Sequence, residues 1–475
     1  MNKYKSLLYI IIAISVILCI PSVCYLINNH TVDGFNTYYT YTLTPNNNKI
    51  IGLLSGFIVI GLLLIFSIIY LKIIKQEEEI FKNSKQTLVF IMIVSFLFMI
   101  ILPYLSSDIY YYIGDSWLSS KYQENPYYTA VSDLQEKGIN DEILANTGVW
   151  KSTTSVYGPL WNTIARILVS FSFGKVTIAL FIFKIAAYLV HILNCYIIYK
   201  ITKSKKYMLL YGLNPLVLIE FLSNVHNDIY LILFILLALY FLIRKRNILG
   251  VVISLALSIS IKYSTALLVP FILIYYFKDK TIIKRLVYCI ISGLSIVGIV
   301  VLLYMPYFRD ITIFTNMLVQ GTKFSQSILL LMMEKLPANM FSTMNSIIIP
   351  IFLFTYILIV MDMLFTRRIT KKKLFKKYNF LMLIFIFLVL STFQKWYVLW
   401  LLPTIIWQSS KMKEFIIYLT ISALIPSIGY FIVGGDPYIM GVTYSISMLI
   451  LSGALVGNRE RNGNKNGELS FNRWK

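Results

Sequence analysis

The chain has 475 residues, of which 58% are apolar and only 13% charged, with a mean hydropathy of +0.74. A soluble domain carries about 25% charged residues, so an ordinary soluble globule is excluded. The formal charge of +22 comes from 43 Lys and Arg against 21 Asp and Glu, but the basic residues sit in short loops between apolar runs, which speaks for membrane topology and against nucleic-acid binding.

A bilayer core takes roughly 20 apolar residues per helix. Runs of that kind predict helices over 6–27, 50–74, 87–105, 176–199, 207–222, 228–243, 248–261, 264–277, 286–305, 346–365, 379–394, 396–409, 415–433 and 439–456. The first comes after Lys3 and Lys5 without a clean small-residue cleavage site, so it reads as an uncleaved helix with a cytoplasmic N-terminus. Basic clusters at Lys200–Lys206, Arg244–Arg246, Lys278–Arg285 and Arg367–Lys377 fix the cytoplasmic side, and the intervening loops then alternate outside. Residues 158–173 are apolar too, but a span there would turn the Lys200 cluster outward. They are therefore expected to form an interfacial or re-entrant helix on the outer face, with Pro159 in its first turn.

The predicted architecture is all-α, a polytopic transmembrane bundle of about fourteen helices occupying 1–456. A large extracytoplasmic loop with interfacial helices covers 106–174 and a second outer loop 306–345. A disordered cytoplasmic tail runs from 457 to 475. Cys19, Cys24, Cys195 and Cys289 lie inside apolar runs with no metal-ligand or disulfide spacing.

Chemistry-capable residues gather at the outer ends of these helices. Asp108, in SSDIYYY, comes just after the third helix; half-desolvation there raises a carboxylate towards a useful base. Its tyrosines, Tyr110 among them, suit an aromatic belt or a sugar-stacking surface, and Asp115 stands in the same acidic, aromatic loop. A plain solvated helix end is the alternative. Glu220 sits inside an apolar run, where an ionisable group is a functional hypothesis by default, and Asn224-Val225-His226-Asn227-Asp228 comes next at an outer hairpin tip. His226 and Asp228 could relay protons or bind sugar; as two candidate ligands they are a weak metal signal. Lys262 stands at an outer turn, against the positive-inside trend, and wants an anion such as a lipid phosphate, or snorkels to a headgroup. Arg166, in the interfacial helix, is a second possible phosphate contact. Gln394, Lys395, Trp396 and Tyr397, at a further outer turn, offer hydrogen bonds and stacking faces, or simply an aromatic belt.

The ordered set SDIYYYIGDSW, NPYY, VYGPLW, NPLVLIE with NVHND, IKYSTALLVP and FQKWYVLWLLP resembles the GT-C glycosyltransferase superfamily, and within it the polyprenyl-phosphomannose-dependent α-1,6-mannosyltransferases of bacterial envelopes. The likeness runs from about residue 87 onward. The pattern departs at Tyr157-Gly158-Pro159, where many members carry paired prolines or His-Pro-Pro. The resemblance implies a GT-C-like fold and an inverting glycosyltransferase in the cell membrane. Its partners would be a polyprenyl-phosphate sugar donor, by family mannose, and a glycan or glycolipid acceptor on the extracytoplasmic face. Asp108 would be the catalytic base. Lys262, with Arg166 or Lys395, would hold the donor phosphate; Tyr110, Asp115, His226, Asp228, Gln394, Trp396 and Tyr397 would contact sugar or acceptor. A lipid monophosphate carries less charge than a nucleotide diphosphate, so no cofactor and no obligatory metal are expected. A transporter or flippase for a lipid-linked glycan is the competing reading, since broken helices with polar tips also belong to transporters.

Overall fold

The computed structural model describes residues 4–29, 49–103, 105–315, 338–390, 392–425 and 448–456. Most of the second outer loop expected over 306–345, the tail after 456 and parts of the last two expected spans lie outside them. The described residues are helical, with no strand among them.

The helices are α1 (Ser6–Asn29), α2 (Lys49–Lys75), α3 (Ser84–Ile100), α4 (Asp108–Lys121), α5 (Pro159–Ser170), α6 (Val176–Thr202), α7 (Lys205–Gly212), α8 (Pro215–Ser223), α9 (Asp228–Lys245), α10 (Ile248–Ile259), α11 (Val269–Tyr276), α12 (Ile282–Tyr304), α13 (Ala338–Phe365), α14 (Lys371–Ile384) and α15 (Ser410–Ser422). Among the described residues, five stretches are long and apolar enough to cross a membrane: α1, Leu54–Lys75 within α2, α6, α12 and Ser346–Phe365 within α13; α8 with α9 makes a sixth if counted as one bent span. Of the other expected spans, those that lie wholly within the described residues are shorter or interrupted. Helix α10 has 12 residues, about 18 Å, and Lys395–Trp407 is a 3-10 helix around Pro403. An apolar run alone does not separate a span from a buried core helix of that length.

The chain divides into two compact units. The first holds residues up to Thr265 and resumes from Ile296 to Gln320; the second holds Ala266–Ser295, Gly321–Gly429 and Val433–Lys475. In the first unit, α1, α2, α3, α6 and α7–α10 pack side by side. Their outward faces stay apolar, as at Ile17, Ile58 and Leu189, which in water would be an aggregation hazard and in lipid is the favoured solvent. In the second unit, buried Arg285 donates to the carbonyls of Leu364 and Thr366, where α13 ends, and to Lys278. A cation there satisfies the orphan carbonyls of a helix terminus.

Helix α5 forms within the expected stretch 158–173 and is too short to count among the candidate spans. Pro159 stands in its first turn, and its 12 residues reach only about 18 Å. Trp161, Ala165 and Val169 face inward while Ile167 faces out. The tyrosines of α4 behave differently from expectation. Tyr110, Tyr111 and Tyr112 are all buried. Tyr112 packs edge-on against Tyr157 and Trp161, at 5.3 and 5.1 Å between ring centres. Trp161 in turn meets Phe183 of α6 and Tyr230 of α9. These rings bind the loop helices to the bundle and are not an interfacial belt.

Candidate active site

The site is built where three chain segments leave the apolar bundle. The first is the exit from α3. The extended backbone after Ile100 turns at Ser106, whose hydroxyl accepts from the Asp108 amide at 3.3 Å, and Asp108 opens α4. A carboxylate in a first helical turn is stabilised by the positive end of the helix dipole.

The second is the break between α8 and α9, whose axes meet at 118°. Asn214 caps α8, accepting from the amides of Leu216 and Val217. At the break, Val225 is held at φ 59°. A β-branched residue rarely adopts this left-handed conformation, and it costs about 1–3 kcal/mol. The twist returns the His226 amide to the Glu220 carbonyl at 2.9 Å and turns the imidazole towards Asp108. His226 Nδ1 lies 3.5 Å from Asp108 Oδ2 and its Nε2 lies 3.2 Å from Glu220 Oε2. Asn224 donates to the same Glu220 oxygen at 3.0 Å. Glu220, Asn224, His226, Asn227 and Asp228 are all fully buried.

The third is the turn after α10. Lys262 Nζ stands 3.0 Å from each oxygen of Asp228. The neighbouring Ser260 carbonyl accepts from the amide of Leu160 at 3.0 Å, and the Ile261 carbonyl from the amide of Gly158 at 3.2 Å. A Cβ at Gly158 would sit 2.2 Å from the Ser260 oxygen, so glycine is required for the start of α5 to dock on this turn.

One buried cation fastens the first two segments together. The fully buried Lys184 ammonium donates to the carbonyls of Ile101, Leu222 and Ser223 at 2.8, 2.9 and 2.8 Å. Ile101 leads into Asp108, and Leu222 and Ser223 lead into the His226 hairpin. Without such partners a buried ammonium would be prohibitively costly.

Electrostatics favour a proton acceptor at Asp108. Burial raises its carboxyl above the usual range, while His226, Lys262 and the Trp150 indole pull it back. The side chain keeps 20% of its surface accessible, so a reactant can reach it. Asp115, two turns along α4 and 5% exposed, is pushed up to about 8 by burial, with Ser155 opposing. Among the described residues no three His, Cys, Asp or Glu side chains converge as a metal site would require.

Of the residues singled out in the sequence, Asp108, His226, Asp228 and Lys262 come together. Within the same unit, Arg166, Tyr110 and Asp115 are placed apart from this group. Arg166 donates to Gln123 at 3.1 Å, at the opposite end of α4 from Asp108, so the grouping of Arg166 with Lys262 is corrected. Tyr110 is 1% exposed and its ring faces the core, so it offers no face to a sugar. Asp115 lies behind the loop surface with Ser155 and Asn162. Gln394, Lys395, Trp396 and Tyr397 belong to the second unit. There Lys395 and Trp396 are buried, and Tyr397 stacks on Trp400 at 4.4 Å. Lys262 meets its anion within the protein, in Asp228. Two residues of this arrangement are not singled out in the sequence: Lys184, inside the apolar helix α6, and Glu220 as the partner of His226, for which the His at i+6 across a helix break is the available signal.

Residues 22–278 match the family model described as alpha-(1->6)-mannopyranosyltransferase, N-terminal domain. The chain belongs to this family. The matched region ends beyond Lys262 and so contains Asp108, Lys184, Glu220, His226 and Asp228. No curated protein and no solved structure matches the chain. Membership in the mannopyranosyltransferase family makes the protein a glycosyltransferase, which requires a sugar donor and a glycan acceptor, and the apolar helices make it a membrane protein.

Proposed function

We propose that this mannosyltransferase is a multi-pass enzyme that takes mannose from a polyprenyl-phosphate donor and adds it, with inversion, to an envelope glycan or glycolipid on the extracytoplasmic face. The observation that carries the reading is the position of Asp108: a partly accessible carboxylate at the mouth of an apolar helix, flanked by His226 and within the field of Lys262. A donor with its prenyl tail in lipid would present its head at this depth.

In the proposed step, Asp108 removes the proton of the acceptor hydroxyl as that oxygen attacks the anomeric carbon. The bond from that carbon to the phosphate oxygen breaks, and the polyprenyl phosphate leaves with the electron pair. Attack from the face opposite the leaving group inverts configuration through an oxocarbenium-like transition state. Phosphate is already a good leaving group, so one base suffices. Lys262 is the cation assigned to the charge that grows on it, with Asp228 fixing its ammonium. His226 and Glu220 orient Asp108, whose accessible edge returns the proton to water.

The test is direct. Purified protein in lipid is given polyprenyl-phosphomannose labelled in the sugar, with α-mannoside acceptors. Labelled mannose should move to the acceptor, and Asp108→Asn should stop it. Absence of transfer from any polyprenyl-phosphate donor, with transfer from a nucleotide sugar instead, refutes the donor assignment.

A further inference from the structure

Helix α4 carries a second polar feature at its other end. A cavity of about 600 Å³ opens there, lined by Ser119, Gln123, Glu124, Arg166, Tyr307 and Arg309 among others. The size is that of a ligand site. Its walls are stitched from distant stretches of chain. Asn125 donates to the Tyr307 carbonyl at 2.6 Å, and the Tyr307 hydroxyl meets Thr163 of α5 at 2.9 Å. Arg309 lies over the Tyr128 ring at 5.6 Å.

Behind this cavity, and sharing Ser119 and Pro126 with it, lies a smaller cleft lined by Asp115 and Asn162. Both side chains are 5% exposed. Asp115 Oδ1 and Asn162 Nδ2 have no hydrogen-bond partner, although buried polar atoms normally find one.

We propose that this cavity is a second carbohydrate site, which grips the part of the acceptor glycan already assembled while its end is extended at Asp108. The lining mixes donors and acceptors: guanidinium groups, the Gln123 amide and hydroxyls, with the Glu124 carboxylate among them. Sugar hydroxyls both donate and accept and so suit such a wall. Arg166 and Arg309 against Glu124 leave the wall with one net positive charge, so a phosphate or sulfate is the competing ligand, and competition by inorganic phosphate decides between them. Pro126, Ile167 and Pro306 add apolar patches for the C–H faces of a sugar ring. Ser119 lies eleven residues along α4 from Asp108, roughly 17 Å at the rise of an α-helix. A short acceptor engages only the Asp108 end, whereas a chain of several hexoses spans both. The inference rests on the proposed glycosyltransfer, and predicts that the enzyme favours long acceptors.

The experiment compares α-(1→6)-linked mannobiose and mannohexaose, in equilibrium binding to the full chain and as acceptors. Two variants alter the cavity: Gln123→Ala combined with Arg309→Ala, and Ser120→Trp, which fills it. The wild type is expected to bind mannohexaose more tightly than mannobiose. Each variant should lower the ratio of kcat/KM for the hexaose over the biose about fivefold, the worth of one lost hydrogen bond, and weaken hexaose binding alike. Equal binding of the two sugars by the wild type, an unchanged ratio in both variants, or displacement of mannohexaose by inorganic phosphate overturns the proposal. If the wild type binds mannohexaose through this cavity yet transfers no mannose from a polyprenyl donor, the donor reading fails and the carbohydrate site stands. Normal transfer indifferent to acceptor length has the opposite meaning.

Discussion

His226 Nδ1 approaches Asp108 Oδ2 to 3.5 Å, and this approach joins the exit of α3 to the break between α8 and α9. The two elements must stay in register for Asp108 to work. Replacing Asp108 by Asn should leave the fold intact and lower transfer by roughly 10²–10⁴-fold, the usual worth of a general base. The pH profile carries a sign as well. In the proposed mechanism transfer needs the carboxylate, so the rate should rise with pH through a midpoint above the ordinary Asp value of about 3.9, because burial raises this carboxyl. His226 opposes that rise, so His226→Ala should move the acid limb further up in pH. An acid limb unmoved in His226→Ala refutes the coupling.

Lys184 reaches the site only through backbone. Its three carbonyl acceptors flank Asp108 on one side and His226 on the other. Lys184→Met keeps the length and removes the donors, each of which is worth about 1.5–3 kcal/mol as a charged hydrogen bond. The expected outcome is lower thermal stability in detergent and a kcat reduced by at least about tenfold, the result of a displacement near 1 Å. KM for donor should change far less. A fall in stability with kcat intact would make Lys184 merely structural.

Much of the site was legible in the sequence, because charged residues in apolar surroundings are rare enough to stand out. Asp108, His226, Asp228 and Lys262 were each visible at a helix end, and the basic loops put those ends on one side. The family resemblance supplied their order. What stayed hidden depended on distance in the chain. Nothing local says that Lys184 serves the carbonyls of Ile101 and Ser223, or that Arg166 points to Gln123 and away from Lys262. The tyrosines of α4 misled for a related reason: an aromatic ring is equally at home in an interface and in a core, and only packing against Trp161 and Tyr157 decides. Among helices, the long spans α1, α2, α6 and α12 were clear from length, whereas α10 and α11 fall where an apolar run fits either a span or a core helix.

Gly158 tests the docking of α5. A methyl group there would meet the Ser260 carbonyl at 2.2 Å, and backbone on both sides cannot yield cheaply. Gly158→Ala should separate the start of α5 from the turn that carries Lys262. Transfer should fall more than tenfold, by analogy with other displacements of about 1 Å, and limited proteolysis of the 106–157 loop should accelerate. Gly61, whose Cβ position is open, provides the control: Gly61→Ala should be silent in both measurements.

Metal dependence separates the proposed donor from a nucleotide sugar. With Lys262 assigned to the leaving phosphate, chelation by EDTA should leave the rate of transfer unchanged. Lys262→Met should reduce kcat by about 10²–10³-fold, as loss of a charge-stabilising group does. Rescue of an EDTA-treated enzyme by Mg²⁺ or Mn²⁺ would move that charge from Lys262 to a metal ion.

Asp115 links stability to pH. Burial raises its carboxyl to about 8, whereas in an unfolded chain it titrates near 3.9. Between these values the native state holds a proton that the unfolded state has lost. Stability should therefore fall as pH rises from about 4 to about 8 and level off above. This is opposite in sign to a salt-bridged carboxylate. Asp115→Asn removes the titrating proton and keeps a neutral side chain of the same shape. Its melting temperature, followed in detergent across that range, should lack this downward slope and exceed that of the wild type at pH 9. A wild type and variant whose melting temperatures run parallel from pH 5 to pH 9 would show that Asp115 is ionised in the folded protein, and its place beside the cleft with Asn162 would then demand a cation.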